Sequence, residues 1–419
     1  MTSRNRSQSL RRNFYAALTD VVGWTAGSRF FAPDTVLQEL LTHVTASKLV
    51  IGLSAAAPPA FMNLTSFLVA PRVERLRRAK PYVMLIATVE RAILFLLVPL
   101  MLLVAPRHPQ ALAVLLPLVL VAFYLVLGCS VPAYTVLIAK TIPARQRGAL
   151  YGYGGALGQG LSLGSGLLIP LILRSSAPWG GFPNGFATCF LIGWALLTLS
   201  YLPLGWMREP SLEPTATTAR LRDYLAEVIK TFRADRAYQY YMAASILYPF
   251  AAMPVLFYVT YSLQRLGGTV GESGIFTVLV ALGAIGGFVW GILADRWDNR
   301  LVLRVGVTLL GVSSLAAIWA PSRPVLWALV VLSALANRGV ELAGFNILME
   351  FAPPARVPRY YAIAAFITFW PRLIAPALGG WIADLWGFSA LFLAAGAAAL
   401  LTERLLHRMR DPRSSSAAA

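Results

Sequence analysis

The chain has 419 residues, of which 58% are hydrophobic and 13% are charged, and its mean hydropathy is +0.65. Soluble globular domains contain roughly 45–50% apolar residues, so this composition excludes an ordinary soluble protein and favours a membrane protein. The formal net charge of +18 would also suit a nucleic-acid-binding protein, so the position of the basic residues decides between the two classes.

The N-terminal tail, MTSRNRSQSLRR, is too polar and too basic for a cleaved signal peptide. Apolar runs of about 20 residues, long enough to cross the hydrocarbon core of a bilayer as helices, then recur along the chain. They predict spans at 14–41, 49–70, 81–105, 111–139, 148–173, 185–207, 238–264, 272–294, 301–320, 324–351, 359–384 and 387–406. The sequence therefore predicts an all-α membrane protein with twelve transmembrane helices.

The basic residues are concentrated in the N-terminal tail, the even-numbered loops and the C-terminal tail. The odd-numbered loops contain only Lys48, Arg107, Arg174, Arg265 and Arg323. By the positive-inside rule, both termini are predicted to be cytoplasmic, which an even number of spans satisfies. The positive charge therefore indicates orientation in the cytoplasmic membrane and attraction to anionic lipid headgroups, and it does not predict a nucleic-acid site.

The longest polar interval between spans divides the chain into two sets of six. The predicted domains are an N-terminal half at 1–207, a cytoplasmic linker at 208–237 and a C-terminal half at 238–419 with a basic tail. Apolar residues at helical spacing in the linker predict an amphipathic helix, lying on the membrane or packed on neighbouring loops. GCSVPAYTVLIAKTIPAR, from Gly128, aligns without gaps with GVELAGFNILMEFAPPAR, from Gly339. Two related six-helix halves are typical of transporters built on repeats.

A short charged motif closes the second span of each half. The first copy contains Glu74 and Arg75, and the second, GILADRWDNR, begins at Gly291 and ends at Arg300. This second copy resembles the signature of the major facilitator superfamily, G-x-x-x-D-R-x-G-R-R/K, with Asp298 where the family usually has Gly. Together with the twelve spans in a six-plus-six layout, the resemblance covers nearly the whole chain. It implies a secondary transporter, which is not an enzyme and needs no cofactor.

The resemblance also implies that the motif acts as a conformational latch on the cytoplasmic side. An acid there can meet the N-terminus of a helix, and a base can bind carboxylates or exposed backbone carbonyls. The predicted latch residues are Glu74, Arg75, Gly291, Asp295, Arg296 and Arg300.

Ionisable residues inside the predicted spans give the most direct indication of a transport pathway. Insertion scales assign about 2.5–3.5 kcal/mol to each ion near the bilayer centre, so eight such ions facing lipid would cost on the order of 20 kcal/mol. These side chains must therefore be paired or face water. They are Asp20, Arg29, Asp34, Glu90, Arg91, Arg338, Glu341 and Arg372.

Some of these charges are expected to pair locally. Arg338 and Glu341 are three residues apart on one helix, and we predict an ion pair between them. Glu90 and Arg91 are adjacent and point in different directions, so we predict that they find partners on other spans. Asp34 and Glu341 are candidates for proton carriers or cation partners, and structural ion pairing is the alternative for each.

The family resemblance implies that spans 1, 4, 7 and 10 line a central cavity. Span 7 contains an aromatic series suited to stacking and to contact with cations, and span 10 adds an amide. These further pathway candidates are Tyr241, Tyr248, Phe257, Tyr258 and Asn337. Packing in the core is the alternative interpretation of the aromatic series.

From these patterns we expect a monomeric secondary transporter that moves a small organic solute by alternating access. Proton-coupled efflux of amphipathic compounds is the first hypothesis. Because Arg29, Arg338 and Arg372 are also central, an uptake carrier for organic anions, sugars or phosphate esters remains an alternative, as does a non-transporting protein on the same fold. The sequence lacks the phosphate-binding pattern G-x-x-x-x-G-K-[ST], which argues against an ATP-driven pump, and its three histidines form no cluster that predicts a metal site.

Overall fold

A computed structural model describes residues 3–73, 76–210, 232, 236–296, 298–351 and 357–409. Over these residues the protein is built from helices. The first half contains α1 Ser3–Gly27, α2 Val36–Val44, α3 Lys48–Val73, α4 Lys80–Phe95, α5 Leu112–Thr141, α6 Ala144–Arg174 and α7 Asn184–Tyr201. The second half contains α8 Arg236–Ala252, α9 Tyr258–Arg265, α10 Glu272–Ile285, α11 Gly287–Arg296, α12 Asn299–Ala317, α13 Arg323–Glu350 and α14 Val357–Arg408. The predicted all-α fold is confirmed.

Nine segments of the described chain are long and apolar enough to cross a membrane. One of them, Phe366–Arg408, has 43 residues and is interrupted at Gly387, where the positive φ of +82° suits a residue without a Cβ. At about 1.5 Å per residue this segment is long enough for two passes. Helix α1 is more polar because it begins among arginines, and Glu272–Gly283 is short. The architecture is consistent with twelve passes.

The first predicted span is not one continuous helix. Helix α1 ends at Gly27, a 3₁₀ turn covers Ser28–Phe31, and α2 starts at Val36. Ala32 has an extended ψ of 130°, the conformation favoured immediately before a proline, and Pro33 follows it. The predicted span at 14–41 is therefore formed by two helices with a break between them.

The outer surface of the helices is strongly apolar. Leu85 is 62% exposed, Leu171 is 66% exposed, and many other leucines and valines are exposed to a similar degree. A soluble protein would associate through such a surface, whereas a bilayer covers it. Trp206 and Trp319, 69% and 74% exposed, lie near the ends of helical segments, where indole rings favour the membrane interface. The protein is a multi-pass membrane protein.

The helices form two compact units that do not follow the midpoint of the sequence. Unit 1 comprises Met1–Ala46, Ala57–Ala216 and Thr269–Val278, and unit 2 comprises Ser47–Ala56, Thr217–Gly268 and Leu279–Ala419. Each unit therefore includes a short stretch from the other half of the chain. The core of unit 1 contains Ala17, Val83, Leu137 and Tyr201, and the core of unit 2 contains Tyr238, Trp290, Val340 and Ile347. The predicted amphipathic helix in the linker lies almost entirely outside the described residues.

In each unit a carboxylate caps the N-terminus of a helix that is distant in sequence. In unit 1 the buried side chain of Glu39 accepts hydrogen bonds from the backbone N–H groups of Gly271 and Ser273, at the start of α10. In unit 2 the side chain of Asp384 accepts hydrogen bonds from the backbone N–H groups of Lys48 and Leu49, both at 3.0 Å, at the start of α3. Both carboxylates accept hydrogen bonds from backbone N–H groups that a helix N-terminus leaves unpaired. Their negative charge also interacts favourably with the partial positive charge at that end of the helix.

The motif at the end of α11 joins three helices of unit 2. The side chain of Asp298 accepts a hydrogen bond from the backbone N–H of Leu301 and so caps α12. Arg300 Nε donates to the backbone oxygen of Leu406 at 3.0 Å, and its Nη2 donates to that of His407, both near the end of α14. A cation at the C-terminus of a helix is favourable, because the last carbonyl groups carry partial negative charge. The expected contact between an arginine of this motif and exposed carbonyls is therefore present for Arg300.

Replacing Asp298 by alanine is expected to lower the free energy of unfolding by about 1 kcal/mol, because the first turn of α12 loses its cap. The matched control is Asp298→Gly, which introduces the residue usual in the family and is expected to cost only a few tenths of a kcal/mol. Thermal unfolding in mild detergent measures both changes. Equal stability of the alanine and glycine variants would contradict a capping role for this side chain.

Candidate functional site

Unit 1 contains a cavity of about 380 Å³ enclosed by α1, α3, α4, α5, α6 and α7. Its charged and aromatic lining consists of Asp20, Trp24, Glu90, Arg91, Tyr134, Tyr151 and Tyr201. The remaining wall is mainly apolar and includes Val21, Met62, Leu127, Val131 and Leu204. This volume lies within the range of roughly 300–1,000 Å³ that is typical of small-molecule sites.

The first carboxylate of the cavity is Asp20, at the end of the fifth turn of α1 and half-buried. It forms no ion pair within hydrogen-bonding range in the described part of the chain, although Arg91 acts on it electrostatically. The buried hydroxyl of Tyr134 on α5 lies close to Asp20, yet it has no hydrogen-bond partner of good geometry among the described residues. Both groups are therefore available to a bound molecule or to water.

The second carboxylate, Glu90 on α4, pairs directly with its neighbour in sequence. Arg91 Nη1 donates to Glu90 Oε1, and the two side chains are only 3% and 6% exposed. Glu90 Oε2 is buried and has no hydrogen-bond partner in the described chain. Glu90 and Arg91 were predicted to point in different directions and to need partners on other spans. They instead pair with each other, because both long side chains can bend toward each other from adjacent positions, while Arg91 also contacts Leu197 and Tyr201 of α7 as predicted.

Arg91 is held by several contacts besides Glu90. Its Nε donates to the backbone oxygen of Leu197 at 3.1 Å, and Nη1 also donates to that of Ala87 at 3.1 Å. The guanidinium carbon lies 4.2 Å from the centre of the Tyr201 ring, within the range of a cation–π contact. The Tyr201 hydroxyl is in turn 3.0 Å from Thr88 Oγ1. These contacts fix the guanidinium group at the wall and use most of its donors.

The charges that line the cavity do not balance. With every group in its usual state at neutral pH, Asp20 and Glu90 contribute two negative charges and Arg91 contributes one positive charge. An uncompensated ion in a largely apolar environment is costly, and proteins relieve that cost by binding a proton, a counter-ion or water. The cavity is therefore suited to hold one further positive charge.

A second polar cluster of unit 1 surrounds the break in the first span. Arg29 and Asp34 both lie within electrostatic range of Tyr124 on α5. Arg29 Nε is buried without a hydrogen-bond partner in the described chain, and the same is true of both side-chain polar atoms of Gln38, which is fully buried. Arg29 and Asp34 were selected from the sequence, but Gln38 was not. A side-chain amide within an apolar predicted span could have identified Gln38 as a candidate.

The predicted charges of the second half lie on α13 in unit 2. Arg338 Nη1 donates to Glu341 Oε2 at 2.9 Å, so the predicted ion pair between these two residues is present. Asn337 Nδ2 donates to Glu341 Oε1 at 3.1 Å, and Asn337 Oδ1 accepts a hydrogen bond from the Tyr248 hydroxyl. Arg372 is exposed and lies within electrostatic range of Tyr248. These contacts favour the ion-pair alternative for Glu341.

Three aromatic candidates of span 7 pack inside unit 2. Tyr241, on α8, donates its hydroxyl to the backbone oxygen of Gly344 at 3.0 Å. Phe257 is fully buried, and Tyr258 is 2% exposed with its ring centre 6.0 Å from that of Phe392. Phe257 and Tyr258 offer almost no surface to a solute in this conformation, which favours core packing for both.

The predicted latch residues are only partly described. Glu74, Arg75 and the side chain of Asp295 lie outside the described residues. Gly291 lies within α11, and Arg296 is exposed at its end. The observed contacts of Arg300 are structural, and a role of this motif in conformational change stays a prediction.

Several residues of the cavity were not selected from the sequence. Trp24, Tyr134, Tyr151 and Tyr201 come from four different helices, and no spacing rule connects them. The available signal was chemical, since each of them places an aromatic ring with a polar atom inside an apolar span.

Comparison with known proteins gives results at two levels. The family model described as Major Facilitator Superfamily matches residues 242–418. No curated protein matches the chain significantly. Among solved structures, the D-xylose-proton symporter has a TM-score of 0.71 at 14% identity, covering 95% of this chain and 98% of its own.

Two other solved structures have the same fold. The nucleoside transporter NupG has a TM-score of 0.68 at 10% identity, covering 96% of this chain and 98% of its own. The xylose transporter XylE from E. coli, in an inward open conformation, has a TM-score of 0.71 at 15% identity, covering 95% and 96%. At such low identity the structures establish the fold alone. The sequence match to the Major Facilitator Superfamily model is confined to residues 242–418, so the second half of the chain is similar in sequence to this family and the whole chain has the fold of these solved transporters.

Proposed function

We propose that the protein couples the movement of a small organic solute to the movement of protons by alternating access, and that Asp20 and Glu90 form the proton site. The observation that carries this proposal is the surplus of one carboxylate over the basic groups that line the unit 1 cavity. A protonated carboxylate would make the lining electrically neutral, and a deprotonated one would leave it with a negative charge. The cavity therefore has two states of different charge that one proton interconverts.

Coupling requires that the proton change what the cavity can hold. A neutral cavity loses the electrostatic cost of a buried charge, whereas a charged cavity must recruit water or a counter-charge. Glu90 Oε2 and the Tyr134 hydroxyl are two of the buried atoms that lack partners in the described structure, and both belong to this cavity. The D-xylose-proton symporter, which has the same fold, uses protons, and this similarity supports protons as the driving ion here.

The proposed direction is efflux of amphipathic compounds. The cavity combines a small polar group of residues with a mainly apolar wall, which matches a solute that has one polar end and an apolar body. Solute-driven acidification or alkalinisation in vesicles of known orientation would establish the direction.

The proposal is tested in proteoliposomes with an internal pH dye and a panel of labelled amines, nucleosides, sugars and organic acids. We expect Asp20→Asn and Glu90→Gln to reduce pH-gradient-driven transport at least tenfold, because the exchangeable proton is lost. Solute counterflow, which needs no driving ion, should persist in Glu90→Gln. The control is Glu403→Gln, which removes a carboxylate outside the cavity that pairs with Arg304 at 2.8 Å.

Three outcomes would contradict the proposal. Full dependence on the pH gradient in Asp20→Asn and Glu90→Gln would exclude these residues as the proton site. Loss of coupling in Asp34→Asn or Glu341→Gln alone would instead support the candidates selected from the sequence. Absence of counterflow for every solute in the wild-type protein would argue against a carrier.

A further inference from the structure

We propose that the unit 1 cavity itself binds a singly charged organic cation with an aromatic or apolar body, and that this cation and the proton compete for the same carboxylates. The inference rests on the proposed proton-coupled transport and adds the class of solute and its location. It places the solute among helices of unit 1 and makes Asp20 its counter-ion.

The charge of the solute follows from the ion pairs already made. Glu90 is compensated by Arg91 through the direct contact between Nη1 and Oε1. Asp20 has no such partner in the described chain and faces the same cavity. A monocation would balance Asp20, whereas a dication would leave an excess positive charge in an apolar enclosure.

The walls favour an organic cation over an inorganic one. Trp24, Tyr134 and Tyr151 bring three aromatic rings to the cavity, and the negative face of such a ring attracts alkylated ammonium groups. The Trp24 ring is stacked on Phe123, with centroids 6.4 Å apart and an interplanar angle of 11°, so its position is fixed before a ligand binds.

The same geometry disfavours organic anions and phosphate esters at this cavity. An arginine recognises such groups by presenting two parallel N–H donors. Arg91 has already committed Nε to Leu197 and Nη1 to Ala87 and Glu90, and Tyr201 covers one face of its guanidinium group. The only base in the lining is therefore not presented for bidentate binding of an anion.

Competition with the proton depends on the groups that surround Asp20. Those that line the cavity with it are Tyr134 from α5, Tyr151 from α6, and Glu90 and Arg91 from α4. Protonation of Asp20 or Glu90 would remove the surplus negative charge that attracts the cation. The affinity for the cation is therefore expected to fall as the pH falls.

The test is direct binding to the purified full-length protein in mild detergent, without any gradient, by isothermal titration calorimetry. The probe is benzyltrimethylammonium, and phenylmethanesulfonate is the matched anion of similar size. We expect saturable binding of the cation, with a dissociation constant that increases on acidification by up to about tenfold per pH unit for one competing proton. No binding of the anion is expected.

Variants locate the site. Asp20→Asn is expected to weaken binding of the cation at least tenfold and to remove its pH dependence, and Trp24→Leu to weaken it several-fold. Asp20→Glu and Trp24→Phe retain charge and ring and are expected to restore most of the affinity, which separates a binding role from misfolding. Glu403→Gln should bind as the wild type does.

The inference is overturned if the cation fails to bind, or if it binds equally well to Asp20→Asn. It is also overturned if phenylmethanesulfonate binds with comparable affinity. Because this measurement needs no transport, such a result leaves proton coupling intact, whereas failure of the vesicle experiment leaves the binding result intact.

Discussion

Replacement of Arg91 by methionine is expected to lower the free energy of unfolding by about 3–5 kcal/mol, the cost of removing one partner of a buried ion pair. Glu90 would lose its counter-charge in a site where its side chain is 3% exposed, and its Oε1 would lose the hydrogen bond that Arg91 donates. The backbone oxygens of Leu197 and Ala87 would also lose a donor. This loss is a large fraction of a typical folding stability of about 5–15 kcal/mol.

A double-mutant cycle with Glu90→Gln isolates the pair. The variant that carries both changes should be more stable than Arg91→Met alone, because no uncompensated carboxylate remains. Arg304→Met is the matched control, since Arg304 and Glu403 form a pair that is 29% and 26% exposed, and partly exposed pairs contribute roughly 0–1 kcal/mol. Denaturant unfolding in mild detergent measures all four proteins. Additive effects of the two changes would contradict a direct interaction.

Replacement of Glu39 by alanine is expected to loosen the start of α10 and to lower the free energy of unfolding by about 3 kcal/mol. Hydrogen bonds to charged groups contribute about 1.5–3 kcal/mol each, and this carboxylate accepts two of them, from Gly271 and Ser273. Both N–H groups would be left buried without an acceptor, and the positive end of the helix would lose its anion. Hydrogen exchange at 269–278 should accelerate more than elsewhere in unit 1.

Glu39→Gln separates charge from shape. This variant keeps one acceptor oxygen but turns an NH₂ group toward the second backbone donor. We therefore expect its free energy of unfolding to lie between those of the wild type and the alanine variant. Glu403→Ala serves as the control, because its partner Arg304 is partly exposed. Unchanged exchange of the Gly271 and Ser273 amides in Glu39→Ala would show that the cap does not hold this helix.

The local contacts on α13 show how much short-range pattern can predict. The ion pair between Arg338 and Glu341 follows from a spacing of three residues on a helix, and the structure contains it. The same reasoning failed for Glu90 and Arg91, because the directions of Cβ atoms do not fix where long, flexible side chains end. Helical geometry limits which pairs are near, and packing selects among them.

The break in the first span shows a second limit. Pro33 was visible in the sequence, and the extended residue before it agrees with the restriction that proline imposes. Hydropathy averaged over the stretch still predicted one span, because a window of apolar residues does not register a change of direction. The helix termini at Gly27 and Val36 place Asp20 and Asp34 in different surroundings.

The sequence by itself determined that the chain is a helical membrane protein, and it indicated a resemblance to the major facilitator superfamily. Hydropathy alone places the apolar runs, since every helix that crosses a bilayer must satisfy its backbone internally and present apolar side chains to lipid. A short motif ending at Arg300 was enough to suggest the family. Such patterns are local in sequence, so they can be recognised without knowledge of the fold.

Only the tertiary structure decided which charged residues act together. Asp20, Glu90 and Tyr134 come from three helices and meet in one cavity, and Glu39 reaches a helix that begins more than 200 residues later in the chain. These contacts depend on how helices pack, and the free energy of packing is spread over many side chains that no spacing rule connects. The residues that form the site are therefore close in space but distant in sequence, and the sequence alone does not show that they meet.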